Sequence, residues 1–300
     1  MRPLSFVRNL RFTILVDDSP AAGELKAEHG LSFWIEADHF RVLFDTGRST
    51  AALENARRLG LEPAEIDAVA ISHGHDDHTG GMLGILDACQ KADLFLHPAA
   101  LRERYSRSVD GTVRAAGFPL GAGELFATRK EYVHWTNAVT HLQPAVFMTG
   151  EIPRGIPAEA LTDGFFLDAE CRTPDPLLDD QAIAFETADG VVVFLGCSHA
   201  GVYNTVACAL RASRTGRLRA IVGGMHLSKA LPKAVALLAD GIEKLHPVLI
   251  CPCHCTGNEA REYLKGRFPD AFQEVRTGTT LTLNAGSLSL HSLATQENRK

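Results

Sequence analysis

Ser72-His73-Gly74-His75-Asp76-Asp77-His78-Thr79-Gly80-Gly81 follows a mostly apolar run, Ile66 to Ile71. Three imidazoles and two carboxylates fall in six consecutive residues, His73 to His78. Such a cluster is poor material for a core and good material for holding a divalent cation, because imidazole nitrogen and carboxylate oxygen suit zinc and related borderline ions. His73 and His75 stand two apart in a loop leaving a strand, so both can turn to one ion. Asp77 and His78 follow one loop turn later and can serve a second ion close by. The bland alternative is a polar surface loop with chance histidines; the density and the flanking glycines weigh against it. Asp76 is left for solvent or a supporting hydrogen bond.

Working outward, Phe12 to Val16, Leu31 to Ala37 and Phe40 to Phe44 read as strands upstream of this loop. Ser49 to Leu59 carries apolar residues at helical spacing and ends at Gly60. Asp67 to Ser72 reads as a buried strand, Gly84 to Ala92 as a helix and Asp93 to His97 as a strand. Leu101 to Asp180 has many Gly, Pro and aromatic residues and little periodicity apart from a strand within Phe147 to Ile152. Loops of that length are functional or disordered as a rule, so the region reads as an insertion or lid.

Order resumes with strands Ala182 to Glu186 and Val191 to Leu195 around the turn Asp189-Gly190. Helix Thr205 to Ala212 and strand Ala220 to Val222 follow, then Gly223-Gly224-Met225-His226. Helix Ala230 to Leu245 tolerates Pro232 in its first turn. Strand Val248 to Cys251 leads into Pro252-Cys253-His254-Cys255. The stretches "RVLFDTG" to "AVAISHGHDDH" and "VVVFLGCSHAG" to "AIVGGMHL" are coarsely alike. Each puts a polar loop at the carboxyl ends of neighbouring strands, where layered α/β folds bind ligands.

Three hundred residues with 45% hydrophobic content allow a sizeable core. A net charge of −6 argues against a nucleic-acid partner, which demands concentrated Lys and Arg. It leaves room for a small substrate, an anionic one included. No apolar run approaches the ~20 residues of a membrane span. Met1 to Phe6 has no export-signal pattern. The reading is therefore a soluble, cytoplasmic protein without a membrane partner. Seven cysteines, an odd count, argue against a disulfide framework.

His73, His75, Asp77 and His78 form an H-x-H-x-D-H signature, preceded by the strand end "LFDTG", Leu43 to Gly47. In this the chain resembles the metallo-β-lactamase superfamily. That resemblance implies an α/β fold, a four-layer αββα sandwich, as a single domain over residues 1–300 with the insertion or lid at about 101–180. "DDSPAAGELKAEHGLS", "TGEIPR", "DDQAI", "GCSHAG", "GGMHL" and "CHCTG" further resemble a subgroup of metal-dependent hydrolases that includes a dihydropterin-type synthase of methanopterin biosynthesis.

The resemblance implies that His199 in "GCSHAG" and His254 after the last long strand complete the metal ligands. The expected set is His73, His75, Asp77, His78, His199 and His254, holding one or two Zn2+, with Fe or Mn as other options. The competing reading of His199 is a cap for the following helix. Many superfamily members carry a bridging Asp where this chain has Cys197 or Ser198. Cys197 is either a thiolate ligand or a small buried residue. Cys251, Cys253 and Cys255 alternate, so on a continuing strand they would share one face and pack.

Asp45 reads either as a partner fixing an imidazole tautomer or as a helix N-cap. His226 reads either as a catalytic group that orients substrate or steadies negative charge, or as an uncommitted histidine. Glu151 and Arg154 either shape the pocket or form a surface pair.

The expected function is metal-dependent hydrolysis of a small ester, lactone or phosphoester, with Asp77 positioning the nucleophile and accepting its proton. The alternative enzyme is a synthase acting on a pterin diphosphate, which Arg102, Arg104, Tyr105, Arg107 and Trp135 could help to bind. An iron-dependent redox enzyme and a non-catalytic metal-binding protein complete the alternatives; His75 favours zinc over iron, since iron versions of the fold often have Glu there.

Overall fold

The computed structural model describes residues 6–19, 23–119, 128–156 and 164–291. The chain opens with strands β1 (Asn9–Val16), β2 (Ser32–Ala37) and β3 (Phe40–Phe44), then helix α1 (Ala51–Arg58). Strand β4 (Ala68–Ala70) leads into the short helix α2 (Asp76–Thr79), helix α3 (Met82–Ala88) and strand β5 (Asp93–Leu96). The middle holds β6 (Tyr105–Arg107), β7 (Val113–Ala115), β8 (Val133–Trp135), β9 (Thr140–Gln143), β10 (Val146–Met148) and β11 (Phe165–Phe166). Then come β12 (Ala182–Thr187), β13 (Gly190–Leu195), α4 (Val202–Ala212), β14 (Leu218–Gly224), α5 (Pro232–Glu243), β15 (Leu249–Cys253), α6 (Asn258–Arg267), β16 (Thr280–Asn284) and β17 (Ser287–His291).

Two mixed sheets result. One runs β17-β16-β1-β2-β3-β4-β5-β8 and the other β15-β14-β13-β12-β10-β9. Their facing sides bury one core, with Phe12, Phe33 and Phe44 from the first sheet against Phe185 and Phe194 from the second. Phe194 meets Phe12 edge-on at 5.0 Å between ring centroids, a favoured aromatic geometry. The outer face of the first sheet is covered by α1 and α3 through Ala52, Ala56, Met82 and Ile85. The outer face of the second is covered by α4, α5 and α6 through Val206, Ala209, Leu238, Ile242 and Leu264. This is the expected αββα order. Because β12 and β13 are buried along their whole length, they read as unbroken apolar runs rather than alternating ones.

The parallel pairings β3–β4–β5 and β13–β14–β15 align the carboxyl ends of these strands within each sheet. The polar loops leave from those ends: Asp45 after β3, Ser72 to His78 after β4, Cys197 to His199 after β13, His226 after β14 and His254 after β15.

The strand expected over Asp67 to Ser72 is shorter, Ala68–Ala70. Its continuation is diverted because the Ser72 amide donates to the Asp45 carboxylate at 2.7 Å instead of to a neighbouring strand. Within 101–180, β8 extends the first sheet while β9 and β10 extend the second. A small sheet, β11-β6-β7, lies apart from these two. Residues 120–127 and 157–163 of this region lie outside the described ones. Among the described residues no helix is long and apolar enough to cross a membrane.

Candidate metal centre

The loop after β4 turns inward because Gly74 lets it pass close to its neighbours. A Cβ at Gly74 would stand 2.1 Å from the Ala100 carbonyl oxygen, so no other residue fits. Asp76 and Asp77 open α2, where carboxylates favour the positive helix end. His73, His75 and His78 are all buried.

His73, His75 and His199 form one group. Their ring centroids lie 4.5 Å (His73–His75), 4.9 Å (His73–His199) and 5.0 Å (His75–His199) apart, and His73 Nε2 is 2.9 Å from His75 Nδ1. Asp77, His78 and His254 form a second group. Asp77 Oδ2 is 3.5 Å from His254 Nε2 and 3.9 Å from His78 Nε2. The His73 and His78 rings, 4.2 Å apart, join the two groups. The donor atoms of His73 and His199, and those of His78 and His254, thus lie within 4.8 Å of one another, each pair with Cys197 Sγ, and His75 and Asp77 adjoin them.

Hydrogen bonds set which nitrogen each ring offers. The carboxylate of Asp45 can only accept, so the 2.7 Å bond to His78 Nδ1 takes its proton donor from the ring. The Ser72 hydroxyl donates to Asp45 Oδ2 at 2.7 Å and therefore accepts from His73 Nδ1 at 2.9 Å. His254 Nδ1 donates to Asp18 Oδ1 at 2.6 Å. With Nδ1 engaged in all three rings, each Nε2 turns its lone pair inward, the arrangement that metal-ligating histidines adopt. His75 Nε2 and His226 Nδ1 are buried without a hydrogen-bond partner among the described residues. Converging nitrogen, oxygen and sulfur donors with such orphaned atoms fit a cation of the zinc type.

Electrostatics divide the rings: the surroundings lower the pKa of His73 and His75 and raise those of His78 and His254. Burial, and then the neighbouring imidazoles, hold His73 well below the usual histidine range; burial, and then Arg104, do the same to His75. A lowered pKa favours the neutral ring that a metal ligand must present. Burial also disfavours a charged His78, yet Asp45 and Asp77 more than reverse it and raise its pKa. Burial pushes Asp77 up, but His78 and His254 outweigh it and hold the carboxyl well below the usual carboxylate range.

A further layer escapes sequence reasoning. His29 spans from Asp18 (Nδ1 to Oδ2, 2.7 Å) to Asp77 (Nε2 to Oδ2, 3.3 Å) and is half-exposed at the rim. The tripeptide Asp179-Asp180-Gln181 ties the two halves together. Gly74 N donates to Asp179 Oδ2 at 2.7 Å, and Gln181 N donates to the Ser72 carbonyl at 3.1 Å. Ala200 N donates to Asp180 Oδ2 at 2.8 Å, gripping the turn that carries His199. Burial raises the Asp180 carboxyl to about 7. Its one signal in the sequence is "DDQAI", a stretch that matches the subgroup pattern but has no spacing that marks a role.

Several expectations need correction. Arg104 does not face a substrate; its side chain is buried and paired with Asp175 and Asp179 at 2.5 Å each. Arg154 donates to the Pro176 and Leu177 carbonyls, so it pins a loop, while Glu151 is exposed. Asp45 is no N-cap, since Thr50 takes that place before α1. Asp76 pairs with Arg48 at 3.2 Å and Arg114 at 2.8 Å. Cys251 and Cys253 pack in the core between the sheets, but Cys255 does not join them. The strand ends at Cys253, His254 takes a left-handed φ of +49°, and Cys255 Sγ accepts the His226 amide at 3.2 Å. The His226 ring lies 4.4 Å from that of His199 and so faces the centre.

Two facing sheets, helices outside and histidine-rich loops meeting at strand ends define an αββα protein with a candidate metal centre. The chain belongs to the metallo-beta-lactamase superfamily, whose profile matches residues 25–198. It is 30% identical to 7,8-dihydropterin-6-methyl-4-(beta-D-ribofuranosyl)-aminobenzene-5'-phosphate synthase of Methanocaldococcus jannaschii, over 91% of this chain and 96% of that one. Among solved structures, Tm1679, a metal-dependent hydrolase of the β-lactamase superfamily, is 30% identical with a TM-score of 0.77, covering 92% of this chain and 99% of that one. YhfI from Bacillus subtilis, 13% identical with a TM-score of 0.57, covers 92% of this chain and all (100%) of its own, and shares the fold alone.

Proposed function

We propose that the chain is a metal-dependent hydrolase of small substrates carrying an ester, lactone or phosphoester centre. The observation behind this reading is the convergence of three loops, which bring the donor atoms of His73 and His199 and of His78 and His254 together, with His75 and Asp77 beside them. His73, His75 and His199 would hold one cation and Asp77, His78 and His254 a second, and zinc suits this donor set, with iron or manganese as the other options. Such ions, when bound, supply a Lewis acid and lower the pKa of a coordinated water to about 7. Asp77 Oδ2, beside His254 and half-exposed His29, would orient the attacking water. His226 Nδ1, without a partner among the described residues, would donate to the oxygen on which negative charge develops. A chain with a net charge of −6 suits a small molecule better than a nucleic acid.

A second reading is favoured by one observation, the 30% identity over 91% of the chain to a synthase. In that reading the same cations would act on the leaving diphosphate of a pterin substrate.

One experiment separates the two. Zinc-loaded protein is incubated with a panel of aryl esters, lactones and phosphodiesters, and separately with a pterin diphosphate and an aminobenzene ribofuranosyl phosphate. Hydrolysis that disappears on chelation and in His75→Ala supports the first reading. Condensation without hydrolysis shifts the reading to the second. Turnover that survives both chelation and His75→Ala refutes a metal-dependent mechanism of either kind.

A further inference from the structure

Cys197 stands where the two donor groups meet. It follows Gly196 at the end of β13 and is buried. A Cβ at Gly196 would lie 2.1 Å from Ser72 Oγ, which shows how closely this strand end approaches the loop that carries His73. Cys197 Sγ is 3.1 Å from His78 Nε2. With the donor atoms of His73 and His199 it forms one set lying within 4.8 Å of one another, and with those of His78 and His254 it forms another. Among the described residues it is the member common to both sets.

We propose that the Cys197 thiolate bridges two cations, so that sulfur rather than a carboxylate joins the two halves of the centre. This rests on the metal-site reading above. Around tetrahedral zinc, with nitrogen at 2.0–2.1 Å and sulfur at 2.3 Å, neighbouring donors stand about 3.3–3.8 Å apart. The Asp77–His254 separation of 3.5 Å falls within that span, and those of 3.1 Å (His78–Cys197) and 3.9 Å (Asp77–His78) lie 0.2 Å and 0.1 Å outside it. A thiolate has the single negative charge of an aspartate and lone pairs enough for two metal bonds. Binding exchanges the S–H bond for two sulfur–metal bonds and releases the proton to solvent; no electron is transferred. A soft bridge biases the centre toward zinc and away from magnesium or manganese.

Cys255 is the competing thiol. Its Sγ forms a third set with Cys197 and His226 but belongs to neither histidine set that Cys197 joins. It therefore supports the loop beside the centre and leaves the bridge to Cys197.

Zinc K-edge X-ray absorption of the full chain, with a metal count, tests this without a variant. Wild type should take up two zinc ions and show a scattering shell near 2.3 Å corresponding to about one sulfur per ion. Cys197→Ser should lose that shell, and its affinity for the second ion should fall at least tenfold. Cys197→Asp should recover two ions with a nitrogen and oxygen shell only, and Cys255→Ser should keep the sulfur shell. Two ions with no sulfur in wild type would overturn the proposal while leaving the metal site standing. So would one ion per chain at saturation, or a sulfur shell lost in Cys255→Ser but kept in Cys197→Ser. Binding of no zinc at all overturns both readings.

Discussion

Asp45 Oδ2 accepts a 2.7 Å hydrogen bond from His78 Nδ1, and neither side chain has any exposed surface. The same carboxylate receives the Ser72 amide and hydroxyl, each at 2.7 Å. One residue after β3 therefore orients His78 directly and His73 through Ser72. Asp45 achieves this at a φ of +60°, and Ser198 (+61°), His226 (+48°) and His254 (+49°) share the left-handed region. Each such residue costs of order 1–3 kcal/mol and persists only where its surroundings hold it.

Asp45→Ala should weaken zinc binding about 10–100-fold, the usual cost of losing a group that orients a ligand. Chelator-competition titration measures it. Unchanged affinity would mean that the two imidazoles keep their orientation without the carboxylate.

His73→Ala and His254→Ala should each remove about one zinc per chain, because the two residues belong to different donor groups. Elemental analysis after dialysis gives the count. Loss of both ions in each variant would point to a strictly cooperative pair instead.

Asp180 imposes a pH dependence on the metal-free protein. Its carboxyl is raised from 3.8 to about 7 by burial. Between these values the folded chain holds a proton that the unfolded chain has released, so this group's stabilising contribution is full below pH 3.8 and is lost as pH rises through 7. Asp180→Asn removes the effect while an amide oxygen still accepts from Ala200. The variant should gain about 2–4 kcal/mol relative to wild type between pH 5 and pH 8, because each pH step of one across the window costs the wild type ~1.4 kcal/mol. Urea unfolding at both pH values would read this directly, and parallel curves for the two proteins would exclude it.

Arg104→Met should cost about 3–5 kcal/mol, since it leaves Asp175 and Asp179 buried without their cation. Adding Asp175→Asn and Asp179→Asn should recover part of the loss. If Arg104 bound substrate instead, the single variant would raise KM and leave stability untouched.

The layered fold is legible because its strands are long apolar runs and its helices α1 and α5 have clear boundaries. Gly60, at a φ of +70°, follows α1, and Pro232 opens α5. His73 to His78 stand out by local density alone. His199 and His254 are recognisable only through resemblance, since nothing in their immediate sequence separates a donor from a buried histidine. Asp18, Asp180 and Ser72 are not legible, because each acts on a residue or loop whose position depends on packing between the two sheets. Cys255 departs from its expected face for a backbone reason: strand alternation stops where His254 goes left-handed. Helix α6 and strands β16 and β17 fall beyond the last motif and carry no comparable signal.

Asp18 and His254 are 236 residues apart along the chain. At roughly 5–20 residues per second on the ribosome, Asp18 emerges on the order of 10–50 s before the imidazole it must hold. For most of that interval the His73 to His78 loop is outside as well, an incomplete claw. A chain cut short before β15 would lack His254 and leave the ribosome with half a grip.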